Sequence, residues 1–179
     1  KAVHLSFSKN RTVRELFDKI SQYIHAAQPY SWYRGQWLRH PAQNNLYPLP
    51  PEEKTAVIKS FLARKGREGV QNFAEWLIGG YGEYLFEKLF CVYNKKYWCT
   101  DLDGMGVEWI GNRIYQPTLE EVLVGTYTDR TPNTYYASQM YYPCAGGYFR
   151  YIKSLADSAL SCGKLHFGKR AVKVIPEEK

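Results

Sequence analysis

The segment from Leu85 to Tyr93 restricts the possible folds of this chain more than any other feature of the sequence. Apolar side chains cover nearly the whole circumference of the helix that this segment predicts: Leu85, Phe86, Leu89, Phe90, Val92 and Tyr93. A helix that is apolar on all sides is stable in a water-soluble protein only when other elements cover it. We therefore predict that it is buried between neighbours in a helical lobe.

The helical lobe is predicted over residues 51–114. Pro51 suits the first position of one helix, because the backbone nitrogen there needs no hydrogen-bond partner, and Gly66 can close that helix. A second helix is predicted from about residue 68 to 78, and the glycine pair at 79–80 separates it from the third. Three helices in sequence indicate a compact helical portion.

The segments on either side of the lobe, about 1–50 and 115–179, are predicted to form a sheet with accompanying helices. Short strands are predicted at Val3–Phe7 and within Leu165–Ile175, and tyrosine clusters between 115 and 145 are strand-like. Because the first and last strands are far apart in sequence, the sheet joins the two ends of the chain. The predicted class is α+β, a helical lobe plus a small, mainly antiparallel sheet in one segment.

Local patterns predict three further elements. Thr12 and Glu15 have the spacing of a capping box, and apolar residues at helical spacing follow, which predicts a helix from about 12 to 27. Alternation around an Arg-Gly pair predicts a hairpin at Ser31–Arg39. A short helix is predicted at Val107–Ile114.

The sequence contains no long apolar run and no secretory signal, so we expect a cytoplasmic protein without a membrane partner. Its four cysteines form no CxxC pair, and we expect them to be buried thiols rather than zinc ligands or disulfides. The chain opens at Lys1 on a strand-like stretch. This start favours a segment excised from a longer protein, although a trimmed tag would explain it too.

Charge and aromatic content indicate the kind of partner. The formal net charge of +7 favours anionic ligands, but the basic residues are dispersed, which argues against nucleic acid. Sixteen tyrosines and five tryptophans suit stacking on sugars or bases. The sequence has no GxGxxG, P-loop, HExxH or GxSxG motif, and its four histidines are scattered, so no catalytic or metal-binding residue is predicted.

Two segments carry a resemblance to a known family. Tyr93-Asn-Lys-Lys-Tyr-Trp98-Cys-Thr-Asp101, continuing to Arg113, resembles a segment of UDP-galactopyranose mutases and related flavin-dependent amine-oxidase-like or protoporphyrinogen-oxidase-like proteins. Tyr142-Pro143 with Gly146-Gly147, leading into a helix, is similar to a second step of that family. The opening strand also resembles the family strand whose histidine lies close to the flavin, which would place His4 there.

The resemblance implies that this chain is the substrate-binding portion of a FAD-dependent enzyme, lying between the flavin-binding parts of its parent. It implies that Tyr93, Trp98, Arg113 and Tyr142 bind substrate, with the rings of Tyr93 and Trp98 at the nucleotide and the arginine at the pyrophosphate of a nucleotide sugar, as in polysaccharide biosynthesis. FAD is expected in the parent and not in this segment alone, which is expected to be inactive.

One departure from the family pattern concerns the arginine loop. Mutases usually place a proline-containing segment before this arginine, whereas Asp103-Gly104-Met105-Gly106 stands here. The parent could therefore be a mutase or an oxidase. Two other functions remain open: an autonomous carbohydrate- or nucleotide-sugar-binding module, and a single-stranded nucleic-acid binder.

Overall fold

A computed structural model describes residues 5–111, 113–134, 137 and 139–176. It confirms the α+β class, with helices predominating over two small antiparallel sheets. The helices of the described residues are α1 (Arg11–Phe17), α2 (Pro51–Leu62), α3 (Phe73–Tyr81), α4 (Glu83–Leu85), α5 (Cys91–Trp98), α6 (Leu119–Tyr127) and α7 (Lys153–Ser161). The strands are β1 (Gln22–Ala26), β2 (Tyr30–Tyr33), β3 (Gln36–Arg39) and β4 (Gln139–Pro143).

The chain divides into two compact units, one of Lys1–Ala26 with Ala137–Lys179 and one of Ala27–Tyr136. In the first unit, β1 and β4 pair antiparallel in a register that places Gln22 opposite Pro143. The second unit, here called the central unit, contains the β2–β3 hairpin and the helices from α2 to α6. Its core residues are fully or almost fully buried, and they include Leu46, Val57, Phe61, Phe73, Leu77, Tyr81 and Val122.

The hairpin of the central unit confirms the prediction at Ser31–Arg39. Arg34 and Gly35 form its turn with φ values of +45° and +85°, and positive φ at both central residues is what a type I′ hairpin turn requires. The hairpin is tied to α2, because the Tyr33 hydroxyl donates to Glu53 at 3.1 Å and the Arg34 guanidinium lies 3.2 Å from the same carboxylate. Burial, reinforced by this carboxylate, raises the pKa of Tyr33 to about 12.

Helix α2 begins at Pro51 as predicted, but it ends at Leu62, so Gly66 does not close it. Helix α3 begins at Phe73, where the Asn72 side chain accepts a hydrogen bond from the backbone of Glu75. The predicted helix from about 68 to 78 therefore starts too early. Its predicted end is wrong too, because the glycine pair at 79–80 lies inside α3.

The reason for a glycine inside α3 is a close approach of backbone. A Cβ atom on Gly79 would lie 2.0 Å from the carbonyl oxygen of Gly66, so no larger residue fits. Gly82, with φ +84°, separates α3 from the next helix instead. Tertiary packing thus places the glycine pair in a helix, against its local preference.

The segment predicted to be buried on all sides is only partly buried. Helix α4, a π-helical turn at Phe86–Phe90 and α5 follow one another without a break. Leu85 and Phe90 are buried in the core of the central unit, whereas Val92 and Tyr93 are exposed. The helix is therefore covered at its start and open to solvent over α5.

In the first unit, the helix predicted from about 12 to 27 is wrong beyond residue 17. Helix α1 is capped by Asn10 rather than Thr12, and the chain then turns into β1. All five residues of β1 pair with β4, and this pairing outweighs the helical spacing of the apolar residues in the segment. The side chain of Gln22 donates to the Phe17 carbonyl at 3.1 Å and closes the end of α1.

Four other predictions differ from the structure. Val107–Ile114 forms turns rather than a helix in its described residues, and Leu165–Ile175 has no regular structure. In the opening strand, Ser6 makes a single bridge to Tyr141, and Val3 and His4 lie outside the described residues.

The cysteines are not buried thiols, since three are exposed and Cys91 is partly so. No helix in the described ranges has the length and apolar character needed to cross a membrane.

Candidate functional site

Exposed aromatic rings line the last two turns of α5. Tyr93 and Tyr97 lie four residues apart on one helix face, and their rings stack with centroids 6.0 Å apart. Tyr97 meets Trp98 edge to face at 4.9 Å. All three side chains are exposed, Trp98 to 41%. A helix end that presents three adjacent rings to water is unusual for a structural element, because these rings would otherwise contribute to a core.

A second segment adds a fourth ring to this group. The ring of Trp109 lies 5.2 Å from that of Trp98, edge to face, and its indole N–H donates to the Gly106 carbonyl at 2.8 Å. On its inner side Trp109 contacts the fully buried Phe73 at 5.1 Å. Trp109 therefore fixes the exposed rings to the core of the central unit.

Arg113 joins the same group through Trp109. Its guanidinium donates a hydrogen bond to the Trp109 carbonyl, and its backbone N–H donates to the Ile110 carbonyl at 3.0 Å. Ile110 is 2% exposed and anchors this turn, while the Arg113 side chain stays at the surface. We call Tyr93, Tyr97, Trp98, Trp109 and Arg113 the aromatic surface.

The chain between Trp98 and Trp109 turns sharply so that the two segments meet. Cys99 has φ +53° and ends α5 by donating its N–H to the Lys95 carbonyl at 2.9 Å. The ammonium of Lys95 then lies 2.7 Å from the Asp101 carboxylate; this hydrogen bond raises the lysine pKa and lowers the aspartate pKa. The Phe73 N–H donates to the Met105 carbonyl at 2.8 Å, which holds the returning chain against α3.

The structure thus places three of the predicted substrate-binding residues, Tyr93, Trp98 and Arg113, on one local surface. Tyr142 lies on β4 in the other unit, and His4 lies outside the described residues. The sequence reasoning missed Tyr97 and Trp109. Their spacing was a usable signal, because each stands four residues before or after a predicted site residue.

The aromatic surface offers stacking faces and one planar cation, and no general base is placed among them. Rings of this kind stack on bases and sugars, and a guanidinium donates paired hydrogen bonds to phosphate oxygens. Among the described residues, no group of three or more histidine, cysteine or acidic side chains could hold a metal ion. The groups present on the aromatic surface are those that bind an aromatic base and a phosphate.

The described residues do not provide a complete site for FAD. The sequence lacks the glycine-rich turn that binds the pyrophosphate of a dinucleotide. The cleft between the β2–β3 hairpin and the loop after residue 44 has a volume of about 270 Å³, which is too small for a whole flavin dinucleotide. No reaction step can be derived from these residues through a flavin.

Comparison with known proteins adds a fold relationship. No family model matches the sequence. Among solved structures, the crystal structure of a reduced UDP-galactopyranose mutase superposes with a TM-score of 0.76 over 84% of this chain, at 24% sequence identity. The chain has the fold of part of this mutase.

The match confirms the resemblance to mutases at the level of the fold. This chain covers only 34% of the length of the mutase chain, about a third. Because neither unit alone makes up 84% of the chain, the part that superposes on the mutase includes residues of both units. At this identity, the roles of individual residues do not transfer from the mutase to this chain.

Proposed function

We propose that this chain is the substrate-binding portion of a FAD-dependent enzyme of the mutase kind, and that the aromatic surface binds the nucleotide part of a nucleotide sugar. The observation that supports this proposal is the meeting of Trp98 and Arg113 on Trp109. One contact is ring to ring at 5.2 Å, and the other is a hydrogen bond from the guanidinium to the Trp109 carbonyl. Trp109 thereby connects the ring of Trp98, which would stack on the base, to the guanidinium of Arg113, which would bind the phosphates.

The energetics favour a nucleotide over a simple sugar at this surface. Stacking of a base on an aromatic ring contributes about 1–3 kcal/mol, and a charge-assisted hydrogen bond contributes about 1.5–3 kcal/mol. A uridine diphosphate would use both terms at once, whereas a neutral sugar has neither a base to stack on the rings nor a phosphate charge for the guanidinium. The net charge of +7 adds a long-range attraction for the phosphates.

The proposal assigns the chemistry to the whole parent enzyme. The flavin, and the residues that hold it, would come from outside these 179 residues, because the dinucleotide-binding turn does not occur among them. Between the two family chemistries, the sugar-nucleotide mutase is preferred to the oxidase, since the structural match is with a mutase. The chain by itself is expected to bind without catalysing.

Isothermal titration calorimetry, with UDP or uridine added to the 179-residue chain, tests this proposal. Trp98→Ala should weaken the binding of both ligands about tenfold, because both lose the stacking face. Arg113→Gln should weaken UDP about tenfold and leave uridine unchanged, because only UDP carries the pyrophosphate. Matched controls are Trp32→Ala and Arg34→Gln, which remove an exposed ring and an exposed cation on the hairpin.

If Arg113→Gln lost as much affinity for uridine as for UDP, the assignment of the pyrophosphate to Arg113 would be wrong. Unchanged UDP binding in Trp98→Ala would reject the aromatic surface as the nucleotide site. If oligo(dT) bound more tightly than UDP and its affinity fell steeply with salt, the nucleic-acid alternative would replace the proposal.

A further inference from the structure

The central unit contains a cleft that the aromatic surface does not include. It has a volume of about 270 Å³ and lies between the β2–β3 hairpin and the loop after residue 44. Its lining combines aromatic rings with polar side chains: Tyr30, Trp37, Arg39, Asn45, Tyr47 and Asp129. Its volume is slightly below the usual lower limit of about 300 Å³ for small-molecule pockets, so it suits a ligand of the size of one sugar ring.

The hairpin supplies one wall of the cleft. Tyr30 stands opposite Arg39 in the β2–β3 register, so the two side chains project from the same face. Trp37 lies two residues before Arg39 in β3 and therefore on the same face, and it is 60% exposed. The intervening Leu38 points to the other face, where it is 1% exposed and anchors the strand in the core.

Buried hydrogen bonds hold the opposite wall in place. The Asn45 side chain donates to the Pro41 carbonyl at 2.7 Å and accepts a hydrogen bond from the Thr131 hydroxyl. This second bond ties the segment that carries Asp129 to the loop that carries Tyr47. The walls of the cleft are therefore set before any ligand arrives, which lowers the entropic cost of binding.

The charges of the lining identify the ligand class. Arg39 and Asp129 supply one cation and one anion, and neither makes an ion pair with any described residue. A phosphate site would carry an excess of positive charge, which this lining lacks. Lys54 lies 5.1 Å from the centre of the Tyr47 ring but does not line the cleft. Sugar hydroxyls both donate and accept, so a carboxylate and a guanidinium can each bind one.

The rings complete the match to a sugar. Trp37, Tyr30 and Tyr47 offer flat, amphipathic faces on which the C–H face of a pyranose can pack. A purely apolar ligand would displace water from the Arg39 and Asp129 side chains without replacing its hydrogen bonds, at a cost in free energy. We propose that this cleft binds a neutral pyranose ring, at a site separate from the aromatic surface. The proposal does not depend on the nucleotide-binding function.

Fluorine NMR of the chain labelled with 5-fluorotryptophan tests both sites in one sample. The chain has five tryptophans, so it gives five resonances, each assignable by replacing one tryptophan with phenylalanine. Methyl β-galactopyranoside should shift the Trp37 resonance and leave those of Trp98 and Trp109 in place. UDP should shift the latter two. The two proposals therefore fail independently, one at each set of resonances.

Variants then test the polar contacts, with the Trp37 resonance as the reporter. Asp129→Asn and Arg39→Gln should each weaken methyl galactoside binding about tenfold, because each removes one charge-assisted hydrogen bond. Asp103→Asn, which changes an exposed aspartate outside the cleft, should leave the affinity unchanged.

Three outcomes would overturn the proposal. One is a Trp37 resonance that does not move with the neutral glycoside at any concentration. Another is a resonance that moves only with galacturonic acid or UDP, which would assign the cleft to an anion. The third is that Asp129→Asn and Arg39→Gln both bind methyl galactoside as tightly as the unmodified chain.

Discussion

At the scale of single residues, Trp109 connects the exposed surface to the core. Its ring contacts Phe73 on the inner side and Trp98 on the outer side, and its carbonyl accepts the hydrogen bond from Arg113. The geometry of the candidate nucleotide site depends on these contacts, because neither Trp98 nor Arg113 is itself buried. An exposed site of this kind is precise only where a partly buried residue holds it.

Gly125 is a second residue on which local geometry depends. A Cβ atom at this position would lie 2.2 Å from the carbonyl oxygen of Asn44, closer than any real contact. We predict that Gly125→Ala lowers the free energy of unfolding by about 1–3 kcal/mol, because α6 must move away from the turn at residues 42–44. Chemical denaturation followed by circular dichroism measures this loss.

The matched control for Gly125→Ala is Gly104→Ala. Gly104 has no neighbouring atom within 4 Å of an added Cβ and does not have a positive φ. Its replacement should leave the stability within about 0.5 kcal/mol of the unmodified chain. If Gly125→Ala were equally neutral, the close approach of α6 to residue 44 would be wrong.

At the scale of elements, the start of α6 is the best-defined helix end. The Thr118 hydroxyl accepts a hydrogen bond from the Glu121 backbone at 3.3 Å, and the Glu121 carboxylate accepts one from the Thr118 backbone at 2.8 Å. Glu121 also accepts a hydrogen bond from the Tyr115 hydroxyl at 2.5 Å, which raises the pKa of Tyr115 to about 12. This reciprocal cap fixes the helix that leads to Asp129 of the cleft.

We predict that Thr118→Ala destabilises the chain by about 1 kcal/mol, since one backbone N–H at the start of α6 loses its partner. A thermal melt compared with that of Thr100→Ala measures the effect. Thr100 is exposed and outside any helix cap, so its replacement should be neutral. Equal melting temperatures for the two variants would show that the cap contributes nothing.

Helix α7 shows how an element can follow its sequence pattern and still remain open. The pattern after the glycine pair at 146–147 predicts a helix, and α7 forms there after a turn of 3₁₀ helix. Its apolar face stays exposed, however, with Leu155 at 54% and Leu160 at 55%. Apolar spacing predicts which residues share a face, whereas a neighbouring element decides whether that face is buried.

At the scale of the whole molecule, the chain corresponds to about a third of the mutase to which it is similar. A FAD site needs a dinucleotide-binding turn, which the sequence lacks. We therefore predict that the 179-residue chain purifies colourless and binds added FAD weakly at most. The absorbance of the purified chain in the visible flavin band, and a titration with FAD, measure this. Tight binding of one FAD per chain would contradict the prediction.

Some features follow from the sequence alone because they depend on neighbours in the chain. The Arg34-Gly35 turn and the start of α2 at Pro51 are set by backbone conformations that few residues adopt. The grouping of Tyr93 with Tyr97 follows from helical spacing in the same way. The pattern of elements predicted the α+β class, and the resemblance to the mutases predicted three of the five residues of the aromatic surface, Tyr93, Trp98 and Arg113.

Other features depend on contacts that no local pattern reveals. Residues 22–26 have helical spacing, yet they form a strand because Gln22–Ala26 pairs with Gln139–Pro143, more than a hundred positions away. Residue 79 of α3 is a glycine because the Gly66 carbonyl approaches it, and Trp109 meets Trp98 only because the chain reverses after Cys99. Short-range sterics are encoded locally, whereas burial and pairing are decided by segments that only the folded chain brings together.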